Sequence, residues 1–331
     1  MSIWSSRWLR WVISLGLLTA VIWLADLHAI WNELRGVDLR WVLAALGFAL
    51  LDRFVLTYRW QMLLVIRKHL LGFYRLLRIQ LAANFLGSFL PSSIGVDAIR
   101  IAALSRAGLP AMEVIATTLV DRATLVIATL LFGSLTILGL ASARLPPDLS
   151  RMVLLATFIV VAGCLAVLLP SVRRWARGSV FPRLPDGIRM HSSEVAVAML
   201  SYRHEPRRLL QVAFVTIVLF IVRLCFAKSL ALACGADVSF GDLLLVIPIL
   251  WIVVMLPITI GNIGLQDAGY VALMGLLGVP AAVAFSMSLI EHVLARAVSL
   301  PGALFLADIT GSVDSNGRPG DNTDRRHVAP K

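Results

Sequence analysis

The charged residues most suggestive of function lie inside long apolar stretches and occur twice with the same spacing. Gly108-Leu109-Pro110-Ala111 precedes Asp121-Arg122, and Gly278-Val279-Pro280-Ala281 precedes Glu291-His292. Eleven positions separate the proline from the acid in both copies. Charges in hydrocarbon are costly, so they usually pair or face a polar cavity. Two charge-bearing copies are typical of membrane transport folds, although a duplicated core helix would mimic the spacing.

A second pair of matched elements precedes these motifs. Pro91 lies four positions before Gly95, and Pro257 lies four positions before Gly261. Proline and glycine interrupt helices, and interrupted backbone at membrane depth is tolerated only where it packs against protein or lines a cavity. We therefore predict two hairpin turns, the second of which also includes Gly264.

The composition indicates an integral membrane protein. Hydrophobic residues make up 59% of the 331 residues and charged residues only 15%, against about 25% in soluble domains. Mean hydropathy is +0.87. Several apolar runs reach the roughly 20 residues that a helix needs to cross the bilayer, which predicts an all-α protein. These runs are 8–25, 41–66, 112–140, 152–169, 209–233, 243–260 and 281–307.

The distribution of basic residues predicts the topology. The formal net charge is +11, but the Lys and Arg residues cluster in loops beside apolar runs, which marks cytoplasmic loops and argues against nucleic-acid binding. We expect cytoplasmic N- and C-termini, about six full spans and two oppositely oriented re-entrant hairpins. The repeat units, about 76–140 and 242–307, are then inverted within one membrane domain, 1–307. The polar tail 308–331 is predicted to be disordered and cytoplasmic.

Cysteine usage argues against metal or disulfide chemistry. Cys164, Cys225 and Cys234 lie in apolar runs without CxxC spacing, so we predict neither a disulfide framework nor a metal site. No Walker A motif is present, so any energy input would come from an ion gradient, a partner or the gradient of the substrate itself. We expect no cofactor and no catalytic residue.

Ten polar residues within apolar sequence are predicted to line a substrate site. Arg100 and Arg122 are the cations that we expect near a phosphate, since a guanidinium offers planar, bidentate donors. A broken helix also presents N–H donors and a positive dipole to an anion. Asn84 adds an amide donor or, alternatively, an interhelical hydrogen bond. The remaining candidates are Ser92, Ser93, Asp121, Gln266, Asp267, Glu291 and His292.

Other charged residues receive structural interpretations. Arg59 lies near the inner end of its predicted span, and we expect it to extend toward the interface. Asp97 is predicted to be the N-cap of the helix after the first turn. Asp52 and Arg53 are deeper, and one interpretation is pairing with a neighbouring helix. His292 either titrates near neutral pH, which permits proton coupling, or packs as a neutral hydrogen-bonded group.

The order of the motifs carries further information. Along the chain come Tyr58-Arg59-Trp60, Asn84, Pro91 with Gly95, Asp97 and Arg100, Asp121-Arg122, Pro257 with Gly261, Gly264 and Asp267, and Gly278-Val279. From about Trp41 to Ala307 this order resembles the flippase-like family that corresponds to the membrane region of lysylphosphatidylglycerol synthase. Two positions differ from the family's pattern: its usual Gly-Gly-Asp reads Gly95-Val96-Asp97, and an arginine of the last span reads His292.

The resemblance implies an inner-membrane protein that moves a lipid with a polar headgroup between leaflets, or helps to move it. In the synthase the aminoacyl transferase is a separate soluble domain, which we do not expect here. Lipid translocation is therefore the leading hypothesis. The alternatives are a membrane transferase that acts on lipid-linked substrates and a non-catalytic accessory protein. The expected partners are membrane lipids, with a lipid-synthesising enzyme as a further alternative.

The hairpin prediction is testable by cysteine accessibility. In a variant without native cysteines, Ser92→Cys is expected to react with an impermeant maleimide from the cytoplasmic side and Asn262→Cys from the opposite side, because the two turns approach from opposite leaflets. Labelling of intact cells and of inverted vesicles measures this. Reaction of both positions from one side would contradict the prediction.

Overall fold

A computed structural model describes residues 15–22, 24, 27–88, 92–139, 147–168, 201–255, 259 and 261–306. Pro91, Pro257, the tail 308–331, and the side chains of Ser92 and Ser93 lie outside this description, as do the expectations that concern them.

Every regular element in the described residues is a helix, which confirms the all-α class. Residues 15–22 are helical, and short 3₁₀ helices cover Tyr202–His204 and Leu300–Phe305. The α-helices are α1 (Leu27–Arg35), α2 (Leu39–Ile66), α3 (Phe73–Gly87), α4 (Ser92–Arg106), α5 (Ala111–Gly139), α6 (Pro147–Leu168), α7 (Pro206–Ala233), α8 (Phe240–Met255), α9 (Leu265–Gly275) and α10 (Ala281–Ser299).

Long apolar helices with exposed hydrophobic faces confirm a polytopic membrane protein. Among the described residues, three helices are long and apolar enough to cross a bilayer: Ala111–Leu138, Pro206–Ala233 and Ala281–Phe305. Large apolar side chains such as Leu138, Phe158 and Phe214 are exposed on α5, α6 and α7. Exposed apolar side chains on several long helices are suited to lipid rather than to water.

Two pairs of short helices form the hairpins. α3 and α4 have 15 residues each, or about 22 Å, which is less than the roughly 30 Å of the hydrocarbon core. The two helices pack so closely that a Cβ on Gly87 would overlap the Val96 side chain. α8 and α9 have 16 and 11 residues, and a Cβ on Gly269 would lie 2.6 Å from Leu250 Cδ1.

The two hairpin turns differ from the predicted ones in one respect. Gly95 lies inside α4, which already begins at Ser92, so the prediction of Gly95 as a turn residue was wrong. Glycine has no side chain that opposes a helical backbone, and a helix accommodates it at a cost of about 0.5–1 kcal/mol relative to alanine. In the second hairpin, residues 261–264 form a turn in which Gly261 and Gly264 have φ of 58° and 83°. This left-handed backbone favours glycine.

The repeated Gly-x-Pro motif marks the same helix ending and helix start in both copies. Gly108 and Gly278 have φ of 92° and 81°. Leu109 N donates to Leu104 O at 3.1 Å, and Val279 N donates to Met274 O at 3.1 Å, as in a Schellman cap. The proline that follows lies directly before the first residue of the long helix, α5 or α10, and Pro280 is the N-cap residue of α10.

The helices that precede the hairpins pack together in opposite directions. Asp52 of α2 pairs with Arg223 of α7, whereas Arg59, further along α2, bonds Thr216, earlier on α7. At the far end, Asp38 N donates to Ala233 O at 3.0 Å. α2 and α7 are therefore antiparallel. Each begins a four-helix unit of the same order, which we call the first unit (α2–α5) and the second unit (α7–α10).

The long helix of each unit packs against the hairpin of the other unit. The long helix α5 of the first unit packs against α8, and the long helix α10 of the second unit packs against α3. The exchange matches the two-fold relation expected of inverted repeats. The hairpin ends also meet, since a Cβ on Gly261 would lie 3.3 Å from Ser88 O.

The C-terminal 3₁₀ helix packs so closely on α3 that only glycine fits. A Cβ on Gly302 would overlap the Leu81 carbonyl and lie 2.8 Å from Ala82 N, and backbone atoms cannot rotate away. We expect Gly302→Ala to destabilise the protein by about 1–3 kcal/mol, the usual range for overpacking. Thermal unfolding in detergent measures the loss. The matched control Gly275→Ala meets nothing within 4 Å and is expected to unfold no earlier than wild type. Equal unfolding midpoints for the two variants would contradict the packing argument.

Candidate functional site

A cavity of about 370 Å³ lies between the two units. It is lined by residues of α2–α5, α7, α8 and α10, together with Gly261, Asn262 and Gln266 of the second hairpin. Its volume is within the range of small-molecule sites. Apolar side chains such as Leu56, Phe226 and Trp251 alternate with charged ones on its wall. Because this charged hollow lies among apolar helices, it is the candidate functional site.

Four charged residues of the first unit form what we call the first quartet: Asp97 and Arg100 on α4, and Asp121 and Arg122 on α5. Arg122 Nε donates to Asp97 Oδ2 at 2.6 Å. Arg100 Nη1 lies 3.4 Å from Asp97 Oδ1 and 3.6 Å from Asp121 Oδ2. Two carboxylates and two guanidinium groups therefore join the hairpin arm to the long helix.

The second quartet is the counterpart in the second unit: Asp267 and Tyr270 on α9, and Glu291 and His292 on α10. His292 Nε2 lies 3.3 Å from Asp267 Oδ1, at ion-pair distance. The Tyr270 hydroxyl donates to Glu291 Oε2. Each member lies 170 positions after its counterpart in the first quartet.

The two quartets therefore share a plan and differ in chemistry. In each, a carboxylate on the hairpin arm faces a nitrogen-containing side chain on the long helix, Arg122 or His292. A hydrogen-bond donor on the arm, Arg100 or Tyr270, faces the carboxyl group on the long helix. Arg100 is replaced by Tyr270 and Arg122 by His292. The first quartet contains permanent cations, whereas tyrosine is a neutral donor and histidine carries a charge only when protonated.

Asp121 also accepts hydrogen bonds from Arg59 of α2. Arg59 is fully buried and donates from Nη1 to Asp121 Oδ1 at 2.7 Å and from Nη2 to Asp121 O at 2.9 Å. Its Nε donates to Thr216 Oγ1 at 2.8 Å. The prediction that Arg59 extends to the interface was wrong, because these partners replace the water that an exposed guanidinium would need.

Arg100 has donors that the protein does not use. Its guanidinium stacks 3.8 Å from the centroid of the Trp60 ring, a cation–π contact. Arg100 is 3% exposed, and its Nε and Nη2 have no hydrogen-bond partner among the described residues. Asn84 Nδ2, also on the cavity wall, is likewise unpaired within this part of the chain. Buried donors without partners are unfavourable unless a ligand or solvent satisfies them.

A third charged cluster lies on the α2–α7 side of the cavity. Asp52 accepts from Arg223 Nε and lies 3.7 Å from Arg53 Nη1. Arg223 stacks on Trp251 at 3.8 Å from the ring centroid. Asp52 thus pairs with a neighbouring helix, as one interpretation of the sequence expected, and it also lines the cavity.

The cavity wall carries a small excess of positive charge. Five arginines line it against four carboxylates, with His292 as a further base. The arginines are Arg53, Arg100, Arg122, Arg223 and Arg296, and the carboxylates are Asp52, Asp97, Asp121 and Glu291. This balance favours an anionic ligand while leaving carboxylates available for a cationic group.

Most of the predicted substrate-site residues meet at this cavity. Arg100, Arg122, Asn84, Asp121, Gln266, Glu291 and His292 line it, and Asp267 contacts His292 from α9. Gly261 lies on the cavity wall, whereas Gly264 caps α9. The prediction of Asp97 as the N-cap of α4 was wrong, because α4 begins five positions earlier, at Ser92. Its carboxylate pairs with Arg122 instead.

Sequence reasoning did not assign Arg59, Tyr270, Arg223 or Trp60 to the site. The offset of 170 positions, which relates Asp121 to Glu291, also relates Arg100 to Tyr270 and would have identified Tyr270. No sequence signal paired Arg59 with Asp121, which lies 62 positions away.

Fold and site together define a polytopic helical membrane protein in which two inverted units enclose a charged cavity. Over residues 11–302 the sequence matches the family described as the lysylphosphatidylglycerol synthase TM region. The chain belongs to this family, so the resemblance inferred from the motifs is confirmed. Membership supports a role related to membrane lipids. A search of the curated proteins finds no match.

The buried partnership of Asp121 can be tested by removing its charge. Asp121→Asn leaves Arg59 with an uncompensated buried charge, so we expect a loss of about 3–5 kcal/mol in stability. Thermal unfolding in detergent measures it, and replacing both residues together, as in Arg59→Met with Asp121→Leu, is expected to recover much of the loss. The control Asp148→Asn removes the partner of exposed Arg151 and should cost less than about 1 kcal/mol. If Asp121→Asn unfolds like wild type, Arg59 does not depend on that carboxylate.

Proposed function

We propose that the protein moves a lipid with an anionic or aminoacylated headgroup between the two leaflets of a cell membrane. The observation that carries the proposal is the shared cavity. It is lined by the first quartet and by Glu291 and His292 of the second, and the buried Arg100 has donors without partners among the described residues. The family's relation to lysylphosphatidylglycerol synthesis supports a lipid as the transported molecule.

The headgroup phosphate is the group that would bind Arg100 and Arg122. The Nε and Nη2 atoms of Arg100, which have no partner among the described residues, can donate to two oxygens of one phosphate. Asn84 Nδ2 adds a neutral donor from α3. For an aminoacylated headgroup, the amine would face the carboxylates on the same wall, of which Asp52 is one. The acyl chains would remain in lipid beside the helices, since a cavity of about 370 Å³ holds a headgroup rather than a whole lipid.

Movement between leaflets would follow from alternating opening of the hairpins. The ends of the two hairpins touch at Gly261 and Ser88 O, so separating them on one side opens the cavity to that side. In inverted repeats, two equivalent openings face opposite leaflets. We propose an inner-membrane location with both termini cytoplasmic, in agreement with the distribution of basic residues. We assign no catalytic residue, and we treat an accessory role in lipid synthesis as the competing function.

Lipid exchange in reconstituted vesicles tests this function. Vesicles with purified protein and fluorescent phosphatidylglycerol are treated with an impermeant quencher, and the fraction of label that stays protected is followed in time. Arg100→Ala and Arg122→Ala are expected to slow exchange at least about tenfold, since hydrogen bonds to charged groups contribute about 1.5–3 kcal/mol. Arg122→Lys, which keeps the charge but not the bidentate geometry, should be intermediate.

The matched control is Arg151→Ala, because Arg151 is an exposed arginine outside the cavity, paired only with Asp148 at 3.5 Å among the described contacts. This variant should exchange lipid at the wild-type rate. If wild-type vesicles exchange lipid no faster than protein-free vesicles, the transport function is excluded and the accessory role remains.

A further inference from the structure

The second quartet differs from the first in the number of its permanent cations. In the first quartet, Arg100 and Arg122 balance two carboxylates. In the second, Asp267 and Glu291 are also two carboxylates, but Tyr270 supplies only a neutral hydroxyl. His292 is the one member able to carry a positive charge, and it does so only after it binds a proton. The same structural position is thus permanently charged in one unit and titratable in the other.

Both carboxylates and cations surround the imidazole ring of His292. From α9, Asp267 lies 3.3 Å away, and Tyr270 contacts the adjacent Glu291. On α10 itself, Arg296 donates to the His292 carbonyl at 2.9 Å. The opposite wall of the cavity carries charged residues from two further helices and from the first quartet: Asp52 and Arg53 of α2 and Arg223 of α7. Among the described residues, α3 contributes the polar Gln80 and Asn84 to the cavity and no charged side chain. α1 and the C-terminal 3₁₀ helix also pack on α10 and contribute no charged cavity residue within the described chain.

Asp267 is organised to receive a charged imidazole. Its Oδ2 accepts from Gly264 N at 2.8 Å, and its Oδ1 accepts from Ser288 Oγ at 2.6 Å. These bonds hold the carboxylate on the side of α10 that carries His292. The His292 side chain is 12% exposed and lines the cavity, so a proton can reach it from the same space as the headgroup.

We propose that His292, paired with Asp267, is a proton-binding site coupled to binding of an anionic headgroup in the shared cavity. The proton adds to a ring nitrogen of His292 and forms an imidazolium–carboxylate pair. This step raises the charge of the cavity wall by one, which favours an anionic ligand on the opposite wall. By linkage, the bound anion favours protonation by the same factor, so headgroup binding takes up a proton.

This inference rests on the proposed function and adds its energetic coupling. Imidazole changes charge between about pH 5 and 8, so a proton gradient across a membrane can bias the two openings differently. When His292 is protonated, the cavity binds the anionic headgroup more tightly. When His292 releases its proton on the opposite side of the membrane, the affinity for the headgroup falls. The lipid and the proton then move in the same direction.

Calorimetry of the full-length protein tests the coupling. The probe is a short-chain, water-soluble phosphatidylglycerol, whose phosphodiester keeps its negative charge across the range used. Titrations at one pH near 6.5 are repeated in two buffers with different ionisation enthalpies, so the difference in heat reports protons taken up per lipid bound. For wild type we expect uptake of a fraction of one proton, and binding about fivefold or more weaker at pH 8 than at pH 5.5.

Two substitutions separate the charge of His292 from its packing. His292→Arg supplies the permanent cation of the first quartet, so binding should stay tight at both pH values with no proton uptake. His292→Gln stays neutral, so binding should be weak at both pH values, again with no uptake. Wild-type elution and helicity confirm that each variant is folded. The matched control His28→Gln changes an exposed histidine of α1 outside the cavity and should retain the wild-type uptake.

The outcomes distinguish the two proposals. Proton uptake that persists in folded His292→Gln and His292→Arg would overturn the role of His292. Lipid binding by wild type without proton uptake would overturn the coupling and leave the lipid site standing. Failure of wild type to bind the short-chain lipid would remove the site itself, and the coupling with it.

Discussion

Asp121 is the residue on which the organisation of the membrane core depends. Its carboxylate lies 2.7 Å from Arg59 and 3.6 Å from Arg100, so one acid joins α2, α4 and α5. Arg59 extends the connection to α7 through Thr216. A buried ion pair need not be a net source of stability, but losing one member leaves a charge that nothing compensates. The positions of α2, α4, α5 and α7 around the cavity are therefore tied to this group of charges.

The second unit keeps the same geometry with weaker electrostatics. There Tyr270 meets Glu291 through one hydroxyl, and no buried arginine equivalent to Arg59 contacts Glu291 by hydrogen bond within the described residues. The first quartet is thus held by several permanent charges, whereas the second is held by hydrogen bonds and one titratable pair. The two units therefore differ in whether the charges that hold them are permanent or depend on a proton.

The all-helical membrane class and the meeting of both repeated motifs followed from the apolar runs and residue spacing, because helix-breaking glycine and proline and the intramembrane charges are local signals. The opposite orientation of the two units was inferred from the distribution of basic residues between loops. The pairing inside the quartets did not follow. The sequence comparison related Pro91 to Pro257, 166 positions apart, and the long helices at 170 positions. The link between α3 and α4 is shorter than the link between α8 and α9, so the two prolines and the two long helices are related by different offsets. Only the offset of 170 positions relates Asp97 to Asp267. Arg59 was misassigned because its partners lie far away in the chain.

The antiparallel contact between α2 and α7 has a consequence for biosynthesis. α2 carries Asp52, Arg53 and Arg59, and it is not among the helices that are apolar enough to cross a bilayer unaided. Two of its partners, Thr216 and Arg223, are translated 157 and 171 residues after the side chains they meet. The nascent first half therefore lacks Arg223 as the partner of Asp52 and Thr216 as a partner of Arg59. α2 completes these contacts only after the second half has been synthesised.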